Sequence, residues 1–373
     1  MAPQQARDPE KRDPAAPIRV VVVDDSAIVR KLLVDGLRSG PGIEVVGTAA
    51  DPFAARDLIV RLEPDVITLD IEMPRMDGLS FLRKIMAHRP MPVIVISSLT
   101  QQGSATSIEA LRAGAIDVIP KPGGPYSIGQ ITDRLRERIL GIRDWMPRVQ
   151  LAPEPHAPIN VSFAHVRPGT GLIAIGASTG GPQAIEALLT RLPKVCPPIL
   201  IAQHMPEHFT RTYAERLDKV CAMRVVEASD RQVVEAGVAY VAPGDRHMIV
   251  ERNGIVLTLR MTDDAPVHHQ RPAVDVLFHS IARLQAVRVV ALLLTGMGHD
   301  GADGMVALRR NGAETIAEHE HSCVVYGMPR EAIERGGACH VATLLRMPHL
   351  IADCFTKLQE PRARMMAALH TSR

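Results

Sequence analysis

The sequence predicts an α/β protein made of two doubly wound units with mostly parallel sheets. Three observations carry that reading. Short β-branched runs alternate with amphipathic stretches from Ile18 onward. A proline-rich stretch breaks the alternation once, between Trp145 and Pro168. The 373 residues also exceed one ordinary domain of about 150.

In the first unit Val20–Val23, Val66–Leu69, Val93–Ile96 and Val118–Ile119 are brief and β-branched, as buried parallel strands are. Helical patterns fill the gaps at Ser26–Ser39, Pro52–Leu62, Gly78–Ala87 and Ser104–Ala113, and Ile128–Arg143 closes the unit. A second series runs through Leu172–Ile175, Ile199–Ala202, Met223–Val226, Ala239–Val241 and Val289–Leu294. Its helical patterns are Pro182–Arg191, Thr210–Asp218, Val274–Leu284 and Gly304–Asn311. The expected division is a polar tail over 1–17, a first unit over 18–143, a linker over 144–170, a larger unit over 171–360 and a frayed basic tail over 361–373.

Charge and composition exclude several classes. Lys and Arg number 43 against 41 Asp and Glu, without the basic excess of a nucleic-acid binder. Aromatics at 3% leave few rings for base stacking. No apolar run approaches the roughly 18 residues of a membrane span. Five cysteines, an odd number without CxxC spacing, fit neither a zinc motif nor a disulfide framework and point to a reducing cytoplasm.

Asp24 and Asp25 follow the first strand and Asp70 the second, so all three reach the carboxyl edge of a parallel sheet. Together they form a hard oxygen site suited to Mg²⁺. Ser97 ends the next strand and Lys121 follows the last. A phosphoryl group on Asp70 would share its charge with the metal and Lys121. The blocks VVVDDSAIVRKLL, DVITLDIEMPRMDGLSFLRKI, PVIVISS and GAIDVIPKP resemble response-regulator receiver domains. That resemblance implies a five-stranded flavodoxin-like fold with phosphorylation at Asp70, metal acids Asp24, Asp25 and Asp70, a switch hydroxyl at Ser97 and the family lysine at Lys121. It departs at Val118, where many receivers carry a switch aromatic.

In the second unit Gly176-Ala177-Ser178-Thr179-Gly180-Gly181 joins a strand to a helix. A dinucleotide loop would need glycine at position 178, where close backbone approach to a pyrophosphate requires it. The alternative is a G-x-S-x-G turn, which projects a serine beside helix N–H groups; a plain glycine-rich turn is the third reading. A nucleophilic serine needs a base and an orienting acid. His204 directly follows the next strand, and Asp300 follows Val289–Leu294. His208, His268, His269, His299 and His321 rank lower because only His204 sits so near a strand end.

The blocks GLIAIGASTGGPQAI, ILIAQHMP, HHQRPAVDVLFHS, LLLTGMGHDGADGM and CVVYGMPREAI resemble chemotaxis protein-glutamate methylesterases, in family order over residues 18–355. The resemblance implies a mostly parallel, Rossmann-like catalytic domain with nucleophile Ser178, base His204 and orienting acid Asp300. Thr179 and the Met297 N–H would border the oxyanion site, and Arg271 and Asp275 would lie on the substrate side. Ala273 departs from the pattern, where a small hydroxyl residue is expected. The implied enzyme removes methyl groups from receptor glutamate γ-methyl esters and deamidates receptor glutamines, held inactive by its receiver until Asp70 is phosphorylated. Mg²⁺ serves the receiver and no cofactor serves the esterase. The implied partners are methyl-accepting chemoreceptors and a chemotaxis histidine kinase, with the chain a monomer that neither inserts into membrane nor binds nucleic acid. The runner-up is a non-catalytic, phosphorylation-regulated adaptor that binds receptors; labelling of Ser178 by a fluorophosphonate separates the two.

Overall fold

The structure, a computed structural model, describes residues 16–358 apart from 74–76, 99, 122–127, 143–160 and 168. Most of the expected N-terminal tail, most of the linker and the whole C-terminal tail therefore lie outside the described residues. Two compact units divide the chain, Met1–Ala152 and Pro153–Arg373.

The first unit runs β1 (Ile18–Val23), α1 (Ala27–Arg38), β2 (Ile43–Ala49), α2 (Pro52–Leu62), β3 (Val66–Asp70), α3 (Gly78–His88), β4 (Val93–Ser97), α4 (Gln101–Arg112), β5 (Asp117–Pro120) and α5 (Ile128–Gly141). Its parallel sheet has the order β2-β1-β3-β4-β5. β3 and β4 are buried at every residue, which is why they read as continuous apolar runs. β2 is the strand that apolar runs alone do not mark: as an edge strand it mixes buried and exposed positions. Local chemistry starts the helices. Ser26 Oγ accepts from Val29 N in α1, Asp51 accepts from Phe53 and Ala54 N in α2, and Asp77 accepts from Leu79 N in α3. The buried faces of α1 (Leu33, Leu37) and α3 (Leu79, Phe81, Leu82, Ile85) hold them to the sheet, each such side chain contributing about 1.5–3 kcal/mol.

The second unit runs β6 (Gly171–Ala177), α6 (Gly181–Leu189), β7 (Ile199–Gln203), α7 (Phe209–Val220), β8 (Arg224–Glu227), β9 (Val238–Val241), β10 (His247–Asn253), β11 (Val256–Thr262), α8 (Val274–Ala282), β12 (Arg288–Leu293), α9 (Ala302–Arg310), β13 (Glu314–Glu318), α10 (Met328–Glu334), β14 (His340–Ala342) and α11 (Met347–Lys357). Its seven-stranded parallel sheet has the order β14-β13-β12-β6-β7-β9-β8. An antiparallel hairpin, β10-β11, packs beside it, with Val250 N donating to Ser280 Oγ on α8. The hairpin turns through Gly254-Ile255, between the paired Asn253 and Val256, with Gly254 at φ 61°.

Both expected sheets are therefore present. Observed ends differ from the expected ones by a few residues, α4 most, since it begins at Gln101 under a Thr100 cap. The topology also locates a site. β6 is central, the chain leaves it first towards β7 and later returns to β12 on its other side, and the order of strands reverses there. The crevice at such a reversal, beyond the carboxyl ends of the strands, is where ligands bind in open α/β sheets.

Candidate active sites

In the first unit, Asp24 follows β1 and Asp70 ends β3; both are fully buried, while Asp25 is exposed. One carboxylate oxygen from each of Asp24, Asp25 and Asp70 lies within 4.8 Å of the others. Lys121 Nζ donates to Asp70 Oδ2 at 2.8 Å and stands 4.0 Å from Asp24 Oδ2. Asp70 Oδ1 accepts from Glu72 N, and Asp24 Oδ1 from Ser26 N. Asp24 Oδ2 is buried with no hydrogen-bond partner among the described residues. An orphaned carboxylate oxygen among three acids fits a divalent cation, which Asp24, Asp25 and Asp70 would hold and whose charge would offset theirs and that of an incoming phosphoryl group. Ser97 is buried on β4, its Oγ donating to Gly103 O at 3.2 Å rather than to the acids.

Burial, then the charge of Asp70, pushes the Asp24 carboxyl from its ordinary 3.8 up to about 6, Lys121 opposing without prevailing. Burial likewise raises Asp70 over the opposing effect of Lys121. Burial alone would lower Lys121, but the Asp70 hydrogen bond and charge raise it. Because the folded unit binds the Asp24 proton more tightly than the unfolded chain, its metal-free stability falls as pH rises from about 4 to about 6. Asp24→Asn is accordingly expected to raise the metal-free unfolding midpoint of this unit by about 5 °C at neutral pH. An unchanged or lowered midpoint by circular dichroism would contradict this.

In the second unit, β12, β6 and β7 are neighbours, and their carboxyl ends carry Asp300, Ser178 and His204. Ser178 and Thr179 are 1% exposed, Asp300 2% and His204 8%. His204 Nε2 meets Asp300 Oδ2 at 2.7 Å. The same oxygen accepts from Val274 N at 2.7 Å, and Asp300 Oδ1 accepts from Asp275 N at 2.8 Å. Burial pushes the Asp300 carboxyl up, but His204 and the two amides outweigh it and hold the group below its ordinary value. With Nε2 on Asp300, His204 Nδ1 is buried without a hydrogen-bond partner among the described residues.

The Ser178 turn is fixed from several sides. Ser178 N donates to Thr295 O, Ser178 O accepts from Gly181 N, and Gln203 Nε2 donates to both Ser178 O and His204 O. Gly180 takes φ 77° to bend β6 into α6, a conformation that suits glycine. Thr295 Oγ1 donates to Thr179 O at 2.9 Å, and Thr295 N donates to Glu318 Oε2 at 2.8 Å beneath the turn. A Cβ built at Gly296 would stand 2.7 Å from Ser178 Cβ, so the loop carrying Gly296 and Met297 lies directly against the serine.

Asp275 joins this network, its own carboxylate accepting from Gly304 N at 2.7 Å and from His268 Nε2 at 3.0 Å. Burial, then the Asp300 charge, raises the Asp275 carboxyl. His268, ranked low for its distance from a strand end, thus contacts the acid layer, and its ring meets His299 edge-on at 4.4 Å. Arg271 is held elsewhere: it binds Asp245 through Nε and Nη2 and the carbonyls of Asp263 and Asp264 through Nη1. Gln203, Thr295, Glu318 and Gly296 were not singled out from sequence. A polar residue ending an apolar run is the signal that picked out Asp70, and it marks Gln203, Thr295 and Glu318 equally.

Residues 173–351 match the CheB methylesterase family, and residues 20–133 match the response regulator receiver domain. A protein-glutamate methylesterase/protein-glutamine glutaminase of Syntrophus aciditrophicus (strain SB) is 49% identical over 331 residues, covering 88% of this chain and 96% of that protein. The Escherichia coli (strain K12) protein of that name is 48% identical over 330 residues, covering 88% of this chain and 94% of its own. A crystal structure of the Thermotoga maritima CheB methylesterase catalytic domain covers 49% of this chain and 98% of that one at 36% identity, with a TM-score of 0.48. Identity near one half, running through both units and almost the full length of these relatives, places the chain in the protein-glutamate methylesterase/protein-glutamine glutaminase family, with its receiver domain followed by its methylesterase domain.

Proposed function

We propose that this chain hydrolyses glutamate γ-methyl esters on methyl-accepting chemotaxis receptors in the cytoplasm, releasing methanol, and deamidates selected receptor glutamines. Ser178 is the nucleophile, His204 the base and Asp300 the acid that orients it. The buried 2.7 Å contact between His204 and Asp300, at the edge where Ser178 leaves β6, carries this reading. It fixes the imidazole with Nε2–H donated to the carboxylate, which leaves the Nδ1 lone pair to take a proton.

Ser178 Oγ bonds to the ester carbonyl carbon while its proton passes to His204. The Thr179 segment and the Met297 N–H border the developing oxyanion, helped by the amino end of α6. As the tetrahedral intermediate collapses, the C–O bond to methoxide breaks, and His204 returns the proton so that methanol departs. Water then attacks the acyl-enzyme, gives a proton to His204, and frees the glutamate carboxylate and Ser178. With glutamine the leaving group is ammonia. Asp275 stands on the substrate side, its backbone N–H donated to Asp300, and Arg271 serves that side by holding the loops at Asp245, Asp263 and Asp264.

Control lies in the receiver. A histidine kinase phosphorylates Asp70 with Mg²⁺ held by Asp24, Asp25 and Asp70. The charge of the phosphoryl group, met by Lys121 and read by Ser97, shifts the chain from an inhibited to an active population. A gain of one to two orders of magnitude needs only about 1.4–2.8 kcal/mol of differential stability.

Methanol release from methylated receptor membranes, with and without a small phosphodonor, tests the reading. Ser178→Ala is expected to lower release more than about 10⁴-fold and leave phosphorylation intact. Asp70→Asn is expected to keep basal release and lose its stimulation. Release by Ser178→Ala within about tenfold of wild type would remove Ser178 from the nucleophile's role.

A further inference from the structure

At the amino ends of β13 and β14, the opposite end of the strands from Glu318, three side chains of ligand type converge. Glu314 opens β13, His340 opens β14 and Cys354 lies on α11. His340 Nε2 is 2.6 Å from Glu314 Oε2, and Cys354 Sγ is 3.8 Å from the same oxygen. One ligand atom from each lies within 4.8 Å of the other two. Cys354 is fully buried, whereas the side chains of His340 and Glu314 are 24% and 22% exposed. The cluster is thus closed behind the sulfur and open to solvent in front.

We propose that Glu314, His340 and Cys354 form a binding site for a thiophilic divalent transition ion, Zn²⁺ in the cell, with a fourth position left to water. Thiolate, imidazole and carboxylate together form the donor set that takes zinc and passes over Mg²⁺ and Ca²⁺, which want oxygen alone. Bonds of about 2.3 Å to sulfur and about 2.0–2.2 Å to nitrogen and oxygen place tetrahedral ligand atoms about 3.3–3.7 Å apart. The sulfur–oxygen separation of 3.8 Å is already close to that. The shorter nitrogen–oxygen separation is that of a proton-bridged pair, and it opens by about 1 Å when an ion replaces the proton. Binding releases the Cys354 thiol proton to solvent, and the proton on His340 Nε2 moves to Nδ1 so that Nε2 can coordinate. An ordinary surface ion pair accounts for His340 and Glu314, and the apolar face of α11 accounts for the burial of Cys354, but neither requires thiol and imidazole to meet on one carboxylate oxygen. The ion would tie the last two strands of this sheet edge to the last helix and stabilise the folded unit by mass action.

Titrating the full-length, chelator-stripped protein with Co²⁺ tests this. One equivalent is expected to give the strong visible bands of tetrahedral cobalt with a thiolate-to-cobalt charge-transfer band, and Zn²⁺ should displace it. The receiver acids offer oxygen only, so cobalt held there gives no thiolate band. Cys354→Ser should lose the charge-transfer band and weaken binding more than about tenfold, whereas Cys221→Ser, at the end of α7, should change neither. His340→Gln, on a partly exposed side chain, should weaken binding equally and gives the answer if the serine variant does not fold. A wild-type titration without the thiolate band, or a band that survives Cys354→Ser, overturns the site.

Discussion

Asp300→Asn is expected to lower methanol release by about four orders of magnitude while leaving Asp70 phosphorylation unchanged. The reason lies in the three donors converging on one carboxylate. Oδ2 accepts from His204 Nε2 and Val274 N, and Oδ1 accepts from Asp275 N. An amide can meet only one side of that arrangement. If its oxygen faces His204 and Val274, its NH₂ opposes the Asp275 N–H, a buried donor against a donor at the start of α8, at about 1–3 kcal/mol of stability. If its NH₂ faces His204 instead, Nε2 must become the acceptor and the ring proton moves to Nδ1, the atom that has to take the serine proton. Either way the negative charge that would stabilise the imidazolium is gone. Full-length protein assayed on methylated receptor membranes, with a thermal melt alongside, distinguishes lost chemistry from lost folding. A folded Asp300→Asn protein within about tenfold of wild-type release would show that His204 does not depend on this acid.

What was legible in the sequence followed from position along a strand. Buried parallel strands announce themselves as apolar runs, and a carboxylate, hydroxyl or imidazole at the end of one must lie at the ligand-binding edge. Asp24, Asp70, Ser178, His204 and Asp300 were found that way, and the structure puts the last three beyond the carboxyl ends of three adjacent strands, Asp300 on the loop that leads from β12 to α9. Elements with a solvated side were harder to see. β2 is an edge strand, the β10-β11 hairpin alternates between a buried and a solvated face, and β14 is three residues long, so none presents a long apolar run. Relations made through space left no local trace either. Nothing near His268 in sequence indicates that its ring reaches Asp275, and nothing near Glu314 indicates Cys354, forty residues away. Arg271 shows the converse: a motif position that the fold turns to holding the loops at Asp245, Asp263 and Asp264.

Gly296→Ala is expected to cut kcat by about 10²-fold with a much smaller change in KM, although neither hydrogen bonds nor charge are altered. The added Cβ would stand 2.3 Å from Met328 Sδ, 2.7 Å from Ser178 Cβ and 3.2 Å from Ser178 N. Met328 is fully buried, but its thioether is flexible and can yield some of that space. Ser178 cannot, since its N–H is bound by Thr295 O and its carbonyl by Gly181 N and Gln203 Nε2. The loop facing it is equally constrained: Gly296 N donates to Val325 O, and Gly296 O accepts from Gly327 N and Met328 N. Two tethered segments must therefore part by some tenths of an ångström, and the serine hydroxyl and the Met297 N–H move with them. Overpacking of this kind costs about 1–3 kcal/mol, so the variant should still fold. Gly312→Ala is the control, because a Cβ there meets open space but must adopt φ 83°. Strain alone should lower stability by about 1–2 kcal/mol and leave kcat untouched. Equal activity losses in the two variants would mean that general destabilisation, and not the Gly296 contact with Ser178, governs turnover.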